Sequence, residues 1–411
     1  MGRPTKVALA LAGGGFTGYL FEIGALTALD DLFDDGFSVN DFDLYVGVSA
    51  GAAAASLVAN RVPPGDILET NLSGQRPYYF EHRDIFSPAI GEGLKTVWRA
   101  ARQLIPLLEF YAHHYQEMTL IDLLDKAQDA LPSGIYTLEP FAKYLETTFT
   151  SRGLSNQFTG LAKELYIPAI DLETGASVMF GDEGWREVPI SRAVAASSAA
   201  PIYFCPVRIK GRDYIDAGIG RLAFFDIAHN KGVDFMIMIN PMLRTPRGGQ
   251  THGKGAVGAS AGRLRDKGLL SIGEQASRIN FEVRFSQALT LFQQGHPDTE
   301  LLMMTPAPHN ASLFERSFLT YHDRVLLLRA GYLSVVSSVS DRFDELLAQL
   351  ARHGISVSQT RFEDRIKRRM AQFDEVAAAS GRLRFPATAV SDGVVPTDMA
   401  WRKAHQRQGS G

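Results

Sequence analysis

The chain has 411 residues, 45% of them hydrophobic, and a formal net charge of −3 from 42 basic and 45 acidic side chains. That length suffices for one large α/β core, or for one core with an appended helical region, and the near balance of charge gives no ground for nucleic-acid binding. The single cysteine, Cys205, excludes intrachain disulfides and lies in an apolar segment, where a buried structural thiol is expected.

Residues 6–12 read as a short buried strand running into Gly13-Gly14-Gly15-Phe16-Thr17-Gly18. Leu20, Ile23, Leu26, Ala28 and Leu29 then recur at helical spacing up to the acidic stretch Asp34-Asp35-Gly36. Three consecutive glycines leave backbone N–H groups unencumbered and able to converge on one anionic oxygen. Two anions suit such a loop. One is a pyrophosphate, because Gly13, Gly15 and Gly18 keep the spacing of the dinucleotide-binding fingerprint; the other is the oxyanion of a tetrahedral acyl intermediate. The fingerprint asks for an acidic residue at the end of the next strand. Here the next apolar run (Phe42, Leu44, Tyr45, Val46) leads instead into Gly47-Val48-Ser49-Ala50-Gly51 and an alanine-rich helix from Ala50.

That layout is a nucleophile elbow. Gly47 and Gly51 let the chains pass without a Cβ clash, Ser49 stands at a strained turn on a helix N-terminus, and the amide of Ala50 faces a reacting carbonyl oxygen. Farther on, residues 94–115 place Leu94, Val97, Trp98, Ala101, Ile105 and Leu108 on one helical face, flanked by Lys95, Arg99 and Arg102. A helix of this kind packs on a core, lies at a lipid interface or acts as a lid over an acyl pocket. Tyr214-Ile215-Asp216-Ala217-Gly218 sets a carboxylate just after a short apolar strand, which by itself is the pattern of a turn or cap. Glycines interspersed with arginines and lysines make residues 241–268 a flexible basic loop, which either meets anionic headgroups or serves as a solvated linker, the latter being favoured. Helical patterns occupy 271–294, 317–337 and 341–353, with a strand at 301–305, and a charged helix from Phe362 gives way to a polar tail.

Two further segments decide how these pieces belong together: Ile167-Pro-Ala-Ile-Asp171-Leu-Glu-Thr-Gly175 and Ala195-Ala-Ser197-Ser198-Ala-Ala-Pro201-Ile-Tyr-Phe-Cys205-Pro206. With the glycine loop, the elbow and the Asp turn, they resemble the patatin-like phospholipase family, in the family's order, over residues 6 to 240. The resemblance implies a three-layer α/β/α fold with a mainly parallel central sheet, followed by a helical C-terminal region. It makes Ser49 the nucleophile, Asp216 its partner in a two-residue dyad, and the amides of Gly13, Gly14, Gly15 and Gly18, with Ala50, the oxyanion hole. It also implies a fatty-acyl ester substrate such as a phospholipid, with no metal and no cofactor.

The expected organisation is a catalytic core over 1–240 with a helical, lid-like insertion around 90–150. The glycine-rich loop at 241–268, the remaining helices and strand of the same domain at 269–360, and a charged helix with a polar tail at 361–411 complete it. With no imidazole in the dyad, Asp216 must take the Ser49 proton directly, and partial burial would make it a better base. Two positions depart from the family: Ala217 stands where a glycine is usual after the Asp, and Thr17 where a basic residue is usual in the loop. If the former needs positive φ, alanine is strained there by about 1 kcal/mol or more; the latter removes a cation that would favour phosphate.

Among ten histidines, His229 is the candidate third member of a conventional triad, but its setting reads as a surface or helix-terminal position. His113, His114, His309 and His322 have no partnered motif. No apolar stretch reads as a cleavable signal or a membrane span, so the expected address is cytoplasmic, with peripheral contact to a membrane. The expected function is a serine lipid acyl hydrolase of phospholipase A or lysophospholipase type; an acyltransferase on the same site and a catalytically silent lipid-binding protein are the rivals.

Overall fold

The structure is a computed structural model that describes residues 5–89, 132–219, 223–242, 268–306 and 324–380. The first apolar run forms β1 (Val7–Leu11), and the glycines after it open α1 (Gly15–Leu32). Strand β2 (Leu44–Gly47) turns into α2 (Ala50–Ala59), followed by α3 (Pro64–Ser73) and the short α4 (His82–Ile85). β3 (Ser87–Pro88) and β4 (Gly134–Thr137) precede α5 (Glu139–Ser151), β5 (Glu164–Asp171), β6 (Ser177–Phe180) and α6 (Ile190–Ser197). Next come β7 (Ile202–Phe204), β8 (Val207–Ile209), β9 (Arg212–Asp216), α7 (Ala223–Asn230) and β10 (Phe235–Ile239). The C-terminal part holds α8 (Leu269–Gly295), β11 (Glu300–Met304), α9 (Arg324–Asp341), α10 (Phe343–Arg352) and α11 (Gln359–Ser380).

The main sheet runs β11-β10-β1-β2-β5-β9-β8, with β6 also paired to β5. Its first five strands are parallel, and β6, β9 and β8 are antiparallel additions. Central strand β1 explains the architecture. Val7, Leu9 and Leu11 point into a core shared with α1, α2 and α9, whereas Ala8 and Ala10 point to the other side, against Phe224, Phe225, Phe281 and Phe285 of α7 and α8. A strand buried on both faces needs an uninterrupted apolar run, which is what residues 7–11 supply. The result is the three-layer α/β/α arrangement with a mainly parallel sheet.

The C-terminal elements complete this same core. β11, expected near 301–305, forms an edge of the main sheet beside β10. α9 lies against α1 at backbone distance: a Cβ added to Gly24 would fall 1.9 Å from the Leu328 carbonyl oxygen, and one on Gly331 would fall 2.0 Å from that of Phe21. α11 then closes the end of α1, where Arg365 donates to the carbonyls of Asp30, Asp31 and Phe33, and Arg369 Nε donates to Asp31 Oδ2 at 3.0 Å.

The amphipathic stretch at 94–115, the basic linker over 243–267, His113, His114, His309, His322 and the tail from 381 lie outside the described residues. Within the expected insertion, residues 132–150 are not wholly helical: β4 joins β3 and β7 in a small second sheet, and α5 packs Phe141, Leu145 and Phe149 into the core. Among the described residues, no helix is long and apolar enough to cross a membrane.

Candidate active site

The glycine loop and the serine elbow leave the same edge of the sheet because β1 and β2 are parallel neighbours in register, with Leu11 beside Gly47. Val48 N continues the ladder by donating to the Leu11 carbonyl at 3.0 Å. The chain then reverses direction at Ser49, whose φ of 54° and ψ of −131° are sparsely populated for a residue with a side chain. Close packing holds this turn. A Cβ on Gly47 would lie 2.5 Å from Ala52 Cα, and one on Gly51 would lie 2.5 Å from the Leu11 carbonyl oxygen. Ser49 N donates to Ser197 Oγ at 2.9 Å, which ties the elbow to the end of α6.

The Ser49 side chain does not cap α2. It faces the carboxylate of Asp216 instead, and its hydroxyl helps to hold that carboxyl down. Asp216 ends β9 opposite Ala169 of β5, and its amide donates to the Ala199 carbonyl at 3.0 Å. The segment from Ser197 to Ala199 therefore grips both partners, the serine through a side chain and the aspartate through the backbone. Asp216 is 7% exposed. Burial pushes its carboxyl up to about 6, partly offset by the hydrogen bonds from Ser49 and from Gly218 N, the latter 2.7 Å from Oδ1.

Ala217 does not have positive φ; it is buried at the start of a short 3-10 turn, so the strain expected of an alanine there does not arise. That turn is braced from α8, where Arg284 donates to the carbonyls of Gly218 at 3.0 Å and Ile219 at 2.5 Å. Thr17 is buried and donates its hydroxyl to the Gly14 carbonyl at 3.2 Å, a local bond within the loop.

The glycine loop has φ of 77°, 109° and 68° at Gly13, Gly14 and Gly15, a run that side-chain-bearing residues adopt only with strain. It does not present every expected donor. The amide of Gly13 donates to the buried Glu22 Oε1 at 2.7 Å, and that of Gly18 to the Gly14 carbonyl at 3.1 Å. Both amides are engaged inside the protein. Among the described residues, the amides of Gly14, Gly15 and Ala50 have no acceptor. They lie at the N-termini of α1 and α2, which flank Ser49.

His229 is exposed at the end of α7, with its ring 4.1 Å from that of His296. α7 ends just before β10, which is parallel to β1, so His229 sits at the opposite edge of the sheet from Ser49. It is not placed to form a triad. Among the described residues, no group of three or more His, Cys, Asp or Glu side chains could hold a metal ion.

A family model described as patatin-like phospholipase matches residues 9–229, over half of the 411-residue chain. The chain belongs to the patatin-like phospholipase family. Its matched segment contains the glycine loop, the elbow and the Asp turn, whereas Arg284 lies beyond it. Solved structures similar to this patatin-like chain include VipD from Legionella pneumophila, with 13% identity, 93% of this chain and 81% of that one covered, and a TM-score of 0.31. The type III effector ExoU is similar at 13% identity, 96% and 67% coverage and a TM-score of 0.30. Full-length ExoU of Pseudomonas aeruginosa in complex with SpcU gives 14%, 85% and 62%, and 0.27. Likenesses of that size carry no argument. No curated protein sequence matches the chain.

Three residues of the site escape sequence reasoning. Ser197 lies inside a segment noticed only for its resemblance, and nothing in the pattern singles out its hydroxyl. Glu22 had a signal, a lone carboxylate within the apolar run Leu20-Phe21-Glu22-Ile23. Arg284 had none, because its target is a turn some 65 residues away in sequence.

Proposed function

We propose that this member of the patatin-like phospholipase family is a serine lipid acyl hydrolase working through a Ser49–Asp216 dyad. The observation that carries the reading is the strained, half-buried Ser49 beside the buried Asp216 carboxylate, next to the unengaged amides of Gly14, Gly15 and Ala50. Asp216 accepts the Ser49 proton as Oγ bonds to the ester carbonyl carbon, and the carbonyl oxygen becomes an oxyanion facing the amides of Gly14, Gly15 and Ala50. Collapse of the tetrahedral adduct breaks the ester C–O bond. Asp216 returns its proton to the departing alcohol, leaving an acyl group on Ser49. Asp216 then takes a proton from water as the water oxygen attacks the acyl carbon; collapse of this second adduct breaks the acyl C–Oγ bond, Asp216 returns the proton to Ser49 Oγ, and the fatty acid leaves.

The lipid class of the substrate is supported by family membership. Contact with a lipid surface is supported by exposed apolar side chains near the site: Ile219 beside the Asp216 turn, Ile202 after the Ala199–Pro201 segment, and Ile272, Ile279 and Val283 on α8. α8 reaches both places, through Glu274 to the Tyr203 hydroxyl at 2.8 Å and through Arg284 to the turn.

The test is hydrolysis of a short p-nitrophenyl ester and of phospholipid vesicles by wild type, Ser49→Ala, Asp216→Asn and His229→Ala. Rates should fall about 10³-fold or more in the first two variants and persist in the third. Loss in His229→Ala with activity kept in Asp216→Asn would overturn the dyad. Acyl transfer to an added alcohol in place of hydrolysis would make the protein an acyltransferase, and binding without turnover a lipid-binding protein.

A further inference from the structure

Glu22 stands on α1 directly behind the glycine loop, and its carboxyl is fully buried. Oε1 accepts the Gly13 amide at 2.7 Å, whereas Oε2 has no hydrogen-bond partner among the described residues. An ionised carboxylate sealed from water with a single neutral donor is one of the costlier arrangements a fold can carry. Burial accordingly pushes the Glu22 carboxyl well above the ordinary carboxylate range, and the backbone amides of Gly13, foremost, and Ala12 offset this only in part. A structural filler at this position would more simply be apolar, as Leu20, Phe21 and Ile23 around it are. The acid is doing something for which an acceptor is needed.

The loop identifies that need. Gly13, Gly14 and Gly15 form one continuous run at positive φ, so fixing the peptide plane of the first constrains where the next two amides point. Gly13 itself is wedged: a Cβ there would lie 2.4 Å from the Val48 carbonyl oxygen and 3.1 Å from Ser49 Cβ. The residue anchored by Glu22 thus touches the elbow on one side and leads into Gly14 and Gly15 on the other.

We infer that Glu22 is a positioning residue for the oxyanion hole: by accepting the Gly13 amide it turns the amides of Gly14 and Gly15 toward the ester carbonyl oxygen at Ser49. The inference rests on the acyl-hydrolase reading above. Glu22 touches no substrate.

The experiment compares wild type, Glu22→Met, Glu22→Leu and Glu22→Gln. Met and Leu fill the space without an acceptor, and Gln restores a neutral carbonyl acceptor in the same place. Turnover of the p-nitrophenyl ester is measured with inhibition by an alkyl trifluoromethyl ketone. Ser49 Oγ adds to the ketone carbonyl carbon, its proton passes to Asp216, and the resulting hemiketal oxyanion needs the same amides as the transition state. In Met or Leu, kcat should fall on the order of 10²-fold, the size of a small misplacement of catalytic groups, with KM within about threefold. Ketone affinity should fall in parallel, and Gln should recover most of both losses.

Wild-type kcat and ketone affinity in either acceptor-free variant would overturn the inference, as would a folded Gln variant no better than Met. A fall in active-enzyme fraction with kcat per titrated site unchanged would reduce Glu22 to a folding role and overturn it too. An inactive wild type would overturn the acyl-hydrolase reading itself, and the inference with it.

Discussion

Asp216 couples activity and stability to pH in opposite directions, and Asp216→Asn separates them. Its carboxyl is moved by burial from an ordinary value of 3.8 to about 6 in the folded protein. The native state therefore holds a proton that the unfolded chain releases, so stability is highest at the acid end of this window and declines as pH rises from about 4 to about 6. At ~1.4 kcal/mol per pH unit, the ionised group costs the fold roughly 3 kcal/mol above that window. Asparagine has no proton to lose. Relative to wild type, Asp216→Asn should be stabilised by up to about 3 kcal/mol at pH 8 and by much less at pH 4. Catalysis moves the other way: a base works only when ionised, so wild-type kcat/KM should rise with pH along a single limb centred near 6. Thermal melts of both proteins from pH 4 to 8, run beside the pH–rate profile of wild type, give both curves. A stability difference independent of pH, or a rate limb centred near 4, would refute the reasoning.

Ser197→Ala removes the acceptor of the Ser49 amide, and steady-state kinetics should give a kcat about tenfold lower, with a loss of about 1 kcal/mol in denaturant unfolding. Arg284→Met keeps the apolar stem but loses the donors that hold the Gly218 and Ile219 carbonyls. The Gly218 amide that stabilises ionised Asp216 is then less well fixed, and the acid limb of the pH–rate profile should move to higher pH.

What the sequence reveals of this protein depends on whether a feature is local. β1 is legible because a strand covered on both faces must be apolar throughout, and the elbow is legible because Gly47, Ser49 and Gly51 meet their steric demands within five residues. The Asp216 turn is visible only as a turn, and its meaning comes from order along the chain. The division of labour in the glycine loop is not legible at all. Gly13, Gly14, Gly15 and Gly18 look alike as letters, yet Gly13 and Gly18 spend their amides internally while Gly14 and Gly15 do not, a distinction created by Glu22 and by the first turn of α1. Ala217 reads as a defect only until the backbone is known, because the turn that follows Asp216 asks for no positive φ there. Likewise β11 reads as an isolated strand, and its place at the sheet edge depends on β10 rather than on its own residues.

The strand that carries the glycine loop is made first and completed late. β1 has β2 on one side from early in synthesis, but its other neighbour, β10, begins only at Phe235, and the glycine seam of α1 waits for α9 at Arg324–Asp341. A ribosome-bound chain that has already made Ser49 and Asp216 therefore still has an open sheet edge and an uncovered first helix. Contacts of such sequence separation form slowly. The nascent chain passes through a stage in which the serine elbow and the Asp216 turn exist and the platform holding them does not, so the candidate site is assembled only once the last third of the polypeptide is in place.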